Sequence, residues 1–559
     1  MASPGCRGTD GRADGGTDAA LERRQKCHCA QNRRSGSKQS FGMNGYELDT
    51  WGVQELLQKS SSGLAVHLIG AGGCGMSGLG HLLLDLGCRV SGSDLQENTE
   101  IAGLRARGAV IHQGHAASHV ASANPQLVVR SSAVPEDNPE WRQARESGVA
   151  LTRRAPVLAA LAHRQRPLCV AGMHGKTTTT AWLAYALERL GASPSYAIGW
   201  LTPQLTPHAR YSHGQVNGQP PWFVLEADES DGTLLEFRPQ AAIVLNVDED
   251  HLDYFEDFAS VRLEFQQFAD QVRGGPLLYC LDDERLAALM KKRRPDALTY
   301  GCHPLADYRL EFIYCRPQAG PPGTAPEPMS CFEIWHQRRR LGEFSTRLLG
   351  AQNLSNAAAV IGMLHQLGYG AEAIAEAVAG FRGAARRQQC LYRDERWAVY
   401  DDYGHHPNEI RLTLQAMRSL SPQRLLVAFQ PHRYTRTQKL VEQFATCFKG
   451  ADRLWLLPIY PASEPPIPGV DSGWLAQAIR AEGQAVEVAD DAQSLVHSVR
   501  AEMQPGDLVL FIGAGADVTV AAHQMAAQLQ AEPGTSEKPA HPGGASDVSP
   551  RGRCCGRYR

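Results

Sequence analysis

The sequence predicts an α/β protein of three units flanked by two disordered tails. Three observations carry this. Between residues 46 and 530, apolar runs of strand length alternate with stretches of helical period, the pattern of parallel sheets. Two glycine loops, Gly70-Ala71-Gly72-Gly73-Cys74-Gly75 and Gly172-Met173-His174-Gly175-Lys176-Thr177, each follow an apolar run and open a helical stretch. Polar and charged residues gather at the ends of the apolar runs, where open α/β sheets bind ligands.

The first unit starts with the apolar run Leu64 to Ile69, then the first glycine loop and a helical stretch through Leu86. A second strand, Cys88 to Val90, leads to Asp94. This is a full G-x-G-x-x-G with an acid about twenty residues further on, in a strand-loop-helix setting. By itself it suggests NAD or FAD, but the same turn accepts any pyrophosphate.

The second unit begins near Arg166. The run Leu168 to Val170 precedes the second loop, and Trp182, Leu183, Tyr185, Ala186, Leu187 and Leu190 give the helical period after it. Strand, glycine loop, Lys-Thr and helix make a nucleoside triphosphate site. Backbone N–H groups and the helix N-terminus hold phosphates, Lys176 supplies a point charge, and the Thr177 hydroxyl can reach Mg²⁺. The spacing G-x-x-G-K-T is two residues shorter than the usual P-loop, and an exposed lysine on a tight turn is the plainer reading of the motif alone. Trp222 to Leu225 then delivers Glu226-Ala227-Asp228-Glu229-Ser230-Asp231, and Ala241 to Leu245 delivers Asn246 through Asp253. Carboxylates at the end of a buried strand suit a Mg²⁺–phosphate site, a surface acidic loop being the alternative. Residues 302–345 read as strands with a Pro/Gly-rich excursion from Gln318 to Pro328. Gly350 to Asn356 opens a helix whose asparagines either cap it or touch a ligand.

The third unit has strands at Trp397–Tyr400, Leu425–Phe429, Leu454–Leu457 and Leu508–Ile512. Their ends carry Asp401-Asp402-Tyr403-Gly404-His405-His406-Pro407, Gln430 through Thr437, and Gly513-Ala514-Gly515-Ala516-Asp517. Residues 1–42 and 531–559 have no apolar period and are rich in Gly, Ser and Arg or Pro, so both are expected to be disordered. Met43 directly precedes the first structured-looking segment, and one hypothesis is that it is the true start; a native peptide from residues 1–42 in mass spectrometry would overturn that.

Bulk properties narrow the function. Net charge is −3 over 559 residues, which argues against nucleic acid as the main partner. No apolar run approaches the roughly 18 residues of a membrane span, and no secretory signal is evident. Fourteen cysteines are mostly scattered, and the close pairs Cys27/Cys29 and Cys554/Cys555 lack a second pair at zinc spacing. That fits reduced thiols and a cytoplasmic protein.

Taken in order, the segments Gly70 to Ser77, Gly172 to Thr178, Glu226 to Asp231, Asp250-His251-Leu252-Asp253, Asp401 to Pro407 and Phe429 to Thr437 resemble the Mur ligase family over residues 64–520. The resemblance implies a Rossmann-like domain for the UDP-sugar (46–163), a central P-loop ATPase-like Mur ligase domain (164–384) and a Rossmann-like C-terminal domain (385–530), with tails at 1–45 and 531–559. It replaces the NAD reading with the UDP part of UDP-N-acetylmuramate. The nearest likeness is to members that use ATP and Mg²⁺ to join L-alanine to the muramyl carboxylate, through an acyl phosphate, in peptidoglycan precursor synthesis.

By the same resemblance, the catalytic residues are Lys176, Glu226, His251, His432, Arg433 and Arg436. Gly172, Met173, His174, Gly175, Lys176, Thr177, Thr178, Asn353, Asn356 and Tyr403 bind ATP, with Tyr403 against the adenine. Thr177, Glu226 and His251 hold metal. Gly70, Gly72, Gly73, Gly75, Ser77 and Asp94 face the UDP-sugar. The expected partners are the sugar nucleotide and alanine, with no nucleic acid, no membrane insertion, and a monomeric or weakly dimeric state. Gln352 stands where the family has His, and Trp200 where a second Gly is usual; the indole either reshapes the mouth near the muramyl group or packs. Tyr403-Gly404 and Gln430 to Tyr434 weigh against the family's tripeptide-recycling members. Intact Lys176, Thr177, Glu226, His251 and Arg433 weigh against a non-catalytic nucleotide-sugar-binding protein.

Overall fold

A computed structural model describes residues 47–59, 63–229, 233–248, 258–318, 327–462 and 464–532. Three sheets follow one another along the chain.

The first holds β1 (Ala65–Ile69), β2 (Arg89–Asp94), β3 (Val110–Gln113), β4 (Leu127–Arg130) and β5 (Ala150–Arg153), all parallel, in the order β3-β2-β1-β4-β5. β1 and β4 are buried throughout, as parallel strands covered on both faces must be. The chain reverses direction across the sheet between β1 and β4, which opens a crevice beyond their carboxyl ends. β2 runs four residues past its sequence-predicted end at Val90, and Asp94 closes it. The extension was hidden because its inward residues are polar. Ser91 bonds His67 at 2.9 Å, and Ser93 donates to the buried carboxylate of Glu140 at 2.5 Å.

The second sheet is built around β6 (Arg166–Ala171), with β9 (Trp222–Glu226) on one side and β10 (Ala241–Val244) on the other, all parallel. Beyond β9 lie the short β7 (Ser195–Ala197) and β8 (Ala209–Arg210). Beyond β10 the sheet continues through β11 (Leu277–Cys280) and β12 (Leu298–Gly301). It ends in an antiparallel meander of β13 (Tyr308–Gln318), β14 (Glu327–His336) and β15 (Arg339–Thr346).

The third sheet runs in the order β16 (Gln389–Arg393), β17 (Ala398–Asp402), β21 (Asp507–Ile512), β18 (Arg424–Phe429), β19 (Arg453–Leu456), β20 (Glu487–Val488). The unbroken apolar run on β18 is explained by its two packed faces. Leu425, Val427 and Phe429 enter one core, Leu426 and Ala428 the other. The first two sheets, by contrast, are joined by one continuous core, and the other face of the first sheet carries a small separate one around Trp141. Among the described residues no helix is long and apolar enough to cross a membrane, and the cysteines whose side chains are described are free thiols.

Candidate active site

The second glycine loop leaves β6 and enters the helix Lys176–Arg189. Gly172 has φ +137°, and a Cβ there would lie 2.9 Å from Leu245. The loop is pinned by Asn246 at the end of β10, which accepts from the His174 amide at 2.8 Å and donates to its carbonyl at 2.9 Å. Lys176 Nζ donates to both carboxylate oxygens of Glu229, at 2.8 and 2.9 Å, and to the Gly172 carbonyl at 2.7 Å. Burial alone would lower the Lys176 pKa; Glu229 and Asp228 beside it outweigh burial and hold the ammonium charged.

Glu226 closes β9. It accepts from Thr177 Oγ1 at 3.1 Å and from the Gly199 amide at 2.5 Å. Burial pushes its carboxyl pKa up, partly opposed by the Gly199 amide and Lys176. A lysine on a loop of backbone N–H groups, followed by a hydroxyl bonded to a carboxylate, is an all-oxygen metal environment next to an anion cradle. This donor set fits a Mg²⁺–triphosphate. His251, expected as a further metal ligand, lies outside the described residues.

Two cavities flank this core. One, of about 490 Å³, is lined by Gly175, Thr178, Asn353, Asn356, Arg387 and Glu409 among others. The other, of about 640 Å³, runs from Gly73, Cys74 and Gly75 in the first glycine loop, past Arg153 and Arg154, to Gly199, Glu226 and Asp228. The two glycine loops are thus joined through Glu226. Neither asparagine caps its helix: Asn353 donates to the Leu349 carbonyl at 2.9 Å and to Gln388 at 3.1 Å, and Asn356 accepts from Gln352 at 3.2 Å.

Some expected residues sit elsewhere. Ser77 is fully buried and donates to Glu100 and the Cys74 carbonyl, both at 3.1 Å, and it is not on the wall of the 640 Å³ cavity. Asp94 acts on the loop itself, accepting from the Gly72 amide at 2.8 Å and the Gln96 amide at 3.1 Å. A Cβ at Gly72 would come within 3.0 Å of Asp94 and Asn98, so glycine is needed for this closeness. Tyr403 is not on the wall of the 490 Å³ cavity. Its ring lies among Trp200 (5.3 Å), His405 (5.5 Å) and the guanidinium groups of Arg386 and Arg387 (5.1 Å each). Trp200 therefore packs across onto the third domain.

Other residues were given no role by the sequence. Asn246 and Glu229 stand within quoted segments but their partners are remote. Glu409 lies two residues beyond Pro407; it completes a capping box with His406 and meets His174 Nδ1 at 3.3 Å. Burial would raise its pKa, but His405 and His174 hold it well below the usual carboxylate range. Arg153 closes β5 and Arg154 opens the next helix, and the pair's position at a strand's carboxyl end was the available signal.

In the third domain Arg433 has φ +68° and precedes the helix Tyr434–Lys439. Arg436 donates to His432 Nδ1 at 3.2 Å, and the His432 ring stacks on Tyr460 at 5.6 Å and meets His405 at 5.7 Å. Burial first, then His405, Arg436 and Arg433, push the His432 pKa down to about 3; burial likewise pushes His405 to about 4. A histidine kept neutral in the fold stabilises it fully above its unfolded pKa of about 6.5, and that contribution is lost as pH falls towards the folded value. Asp401 and Asp402, pushed up to about 6 by burial, act in the opposite direction. The effect of the histidine is therefore read as a difference. The stability advantage of the parent over His432→Asn should shrink by about 1 kcal/mol between pH 7 and pH 5, in urea titrations at both.

Three family models match in chain order: the Mur ligase family catalytic domain over residues 65–166, the Mur ligase middle domain over 170–364, and the Mur ligase glutamate ligase domain over 386–515. The UDP-N-acetylmuramate–L-alanine ligase of Syntrophotalea carbinolica is 40% identical over 452 residues, covering 80% of this chain and 95% of that protein. The enzyme of the same name from Anaeromyxobacter is 38% identical over 467 residues, covering 83% and 98%. Among solved structures, UDP-N-acetylmuramate-alanine ligase from Thermotoga maritima aligns with TM-score 0.69 and 27% identity over 84% of this chain and 99% of that one. A murein peptide ligase from Psychrobacter arcticus shares the fold, with TM-score 0.58 and 21% identity over 84% of this chain and 100% of that one.

Proposed function

The chain belongs to the Mur ligase family, and from that premise we propose that it joins L-alanine to the carboxylate of UDP-N-acetylmuramate at the expense of ATP, in peptidoglycan precursor synthesis. The observation that carries this reading is the 640 Å³ cavity, which reaches from the first glycine loop to Glu226 and Asp228. A nucleotide sugar with its pyrophosphate on that loop would extend its distal carboxylate towards the phosphate end of the second loop.

A carboxylate is a poor acyl donor, because the group to be expelled is oxide. Its attack on the γ-phosphorus of ATP gives an acyl phosphate and ADP. The free amine of alanine then adds to the acyl carbon, and the tetrahedral intermediate expels phosphate. Lys176, released from Glu229, would bind the β and γ phosphates. The loop amides hold the remaining oxygens, and the 490 Å³ cavity beside Asn353 and Asn356 takes the nucleoside. Thr177 and Glu226 would hold Mg²⁺, which supplies charge neutralisation during phosphoryl transfer. Arg433 and Arg436 offer the alanine carboxylate its cationic partners. His432, kept neutral, accepts from Arg436 and so aims that guanidinium. The expected setting is cytoplasmic, with the chain acting as a monomer or weak dimer.

The test is phosphate release by the purified protein with ATP, Mg²⁺ and UDP-N-acetylmuramate, comparing L-alanine with L-Ala-γ-D-Glu-meso-diaminopimelate. Turnover with alanine is the expected result. Turnover with the tripeptide alone would move the chain to the recycling reaction, and none with either would leave a binding protein.

A further inference from the structure

The segment Gly199–Gln204 touches both the metal-side carboxylate and the third domain. At one end, the Gly199 amide donates to Glu226 Oε1 at 2.5 Å, and a Cβ on Gly199 would come within 2.8 Å of that carboxylate. At the other end, Gln204 donates to the Gly380 carbonyl at 2.9 Å and accepts from the Arg382 amide at 2.6 Å. Between them, the Leu201 carbonyl accepts from the Ala385 amide at 2.9 Å. Residues 380–388 are the connection between the helix Ala371–Ala379 and β16, so the segment is laced to the joint between the second and third domains. Trp200, in the middle, lies 5.3 Å from the ring of Tyr403, whose own amide donates to Arg386 in that joint at 2.6 Å.

We infer that Gly199–Gln204 is a strap that ties the position of the third domain to the Glu226 carboxylate, with Trp200 as its positioning residue against Tyr403. The reasoning is mechanical. Glu226 is the last residue of β9, so its backbone is fixed by the sheet, while its carboxylate is held by one hydroxyl and one amide. That amide belongs to the strap. A shift of the third domain that moves Tyr403 presses on Trp200, and the displacement passes through one peptide unit to the Gly199 N–H. The carboxylate is then in place for metal only when the third domain is, which withholds phosphoryl transfer until the domain carrying the amine-side residues has arrived. Trp200 itself touches no reacting atom.

The inference rests on the ligase reading proposed above, and the experiment separates the two. Parent protein, Trp200→Ala and Trp200→Phe are compared in two measurements. The first is hydrogen–deuterium exchange of the peptide spanning 196–204 without ligands. The strap peptide should exchange about tenfold faster in Trp200→Ala, with peptides from β6 and β10 unchanged. The second is turnover. In Trp200→Ala, kcat should fall at least tenfold and the Mg²⁺ concentration for half-maximal rate should rise at least fivefold, while the KM for ATP moves less than twofold. Trp200→Phe should restore both to within threefold. Parallel loss of exchange protection throughout the protein, or failure of Phe to rescue, would mark Trp200 as structural only and overturn the inference, as would unchanged exchange and kcat. An inactive parent would count against the ligase reading and leave the exchange result to decide the strap.

Discussion

Replacing Lys176 by Met should cut turnover by about 10²–10³ and also destabilise the protein, and the two losses should separate in a second variant. The activity loss follows from removing the cation that meets the transferring phosphoryl group. Losing such a preorganised electrostatic partner typically costs about 10²–10³ in kcat. The stability loss has a different origin. Glu229 is fully buried, and both of its oxygens accept from Lys176 Nζ. With methionine there, a buried carboxylate loses the ammonium that both its oxygens accept from, which costs roughly 3–5 kcal/mol. Lys176→Met/Glu229→Gln removes that charge, so its urea midpoint should return most of the way to the parent while phosphate release stays as low as in the single variant. A single variant as stable as the parent would show that the pair is not the buried salt bridge described.

Glu226→Gln should show the reverse pattern: activity lost by about 10³ or more, stability kept or raised. Glutamine preserves the shape. Its amide oxygen can accept from Gly199, and its NH2 can face the Thr177 hydroxyl. What it removes is the cost of burying a charge, which raises the pKa of Glu226. A carboxyl whose pKa is raised on folding contributes stability that is present below the unfolded value, near 4.5, and is lost as pH rises through the folded value. Glutamine does not titrate, so the variant's advantage over the parent should grow from pH 5 to pH 8. Denaturant midpoints at the two pH values measure it. An unchanged kcat, or a gap that narrows with pH, would reject the assignment of Glu226 as a destabilised, metal-facing carboxylate.

The parts of the site that sequence made legible are those in which chemistry and chain order coincide. The second glycine loop, Lys176 and Thr177 are consecutive, and the loop's setting after β6 follows from the apolar run before it. β18 was clear because both its faces are apolar. The far half of β2 was not, because Ser91 and Ser93 are buried against His67 and Glu140, and such pairing has no period in the sequence. Side-chain direction was also hidden. Ser77 follows the first glycine loop in both sequence and structure, yet its hydroxyl turns to Glu100, a partner 23 positions away. Tyr403 and Trp200 are some two hundred positions apart, so the contact that takes Tyr403 off the cavity wall is purely tertiary.

The division of cores sets how the molecule comes apart. The first two units are sealed to each other by one continuous apolar interior, while the third has its own on either face of its sheet. In calorimetry this should appear as two transitions, the larger belonging to residues up to about 380, because cooperativity extends as far as a shared interior does. Ligands that bridge the halves would merge the two peaks. A sugar nucleotide alone would shift only the larger one, which makes the melting profile a report of which substrates have bound.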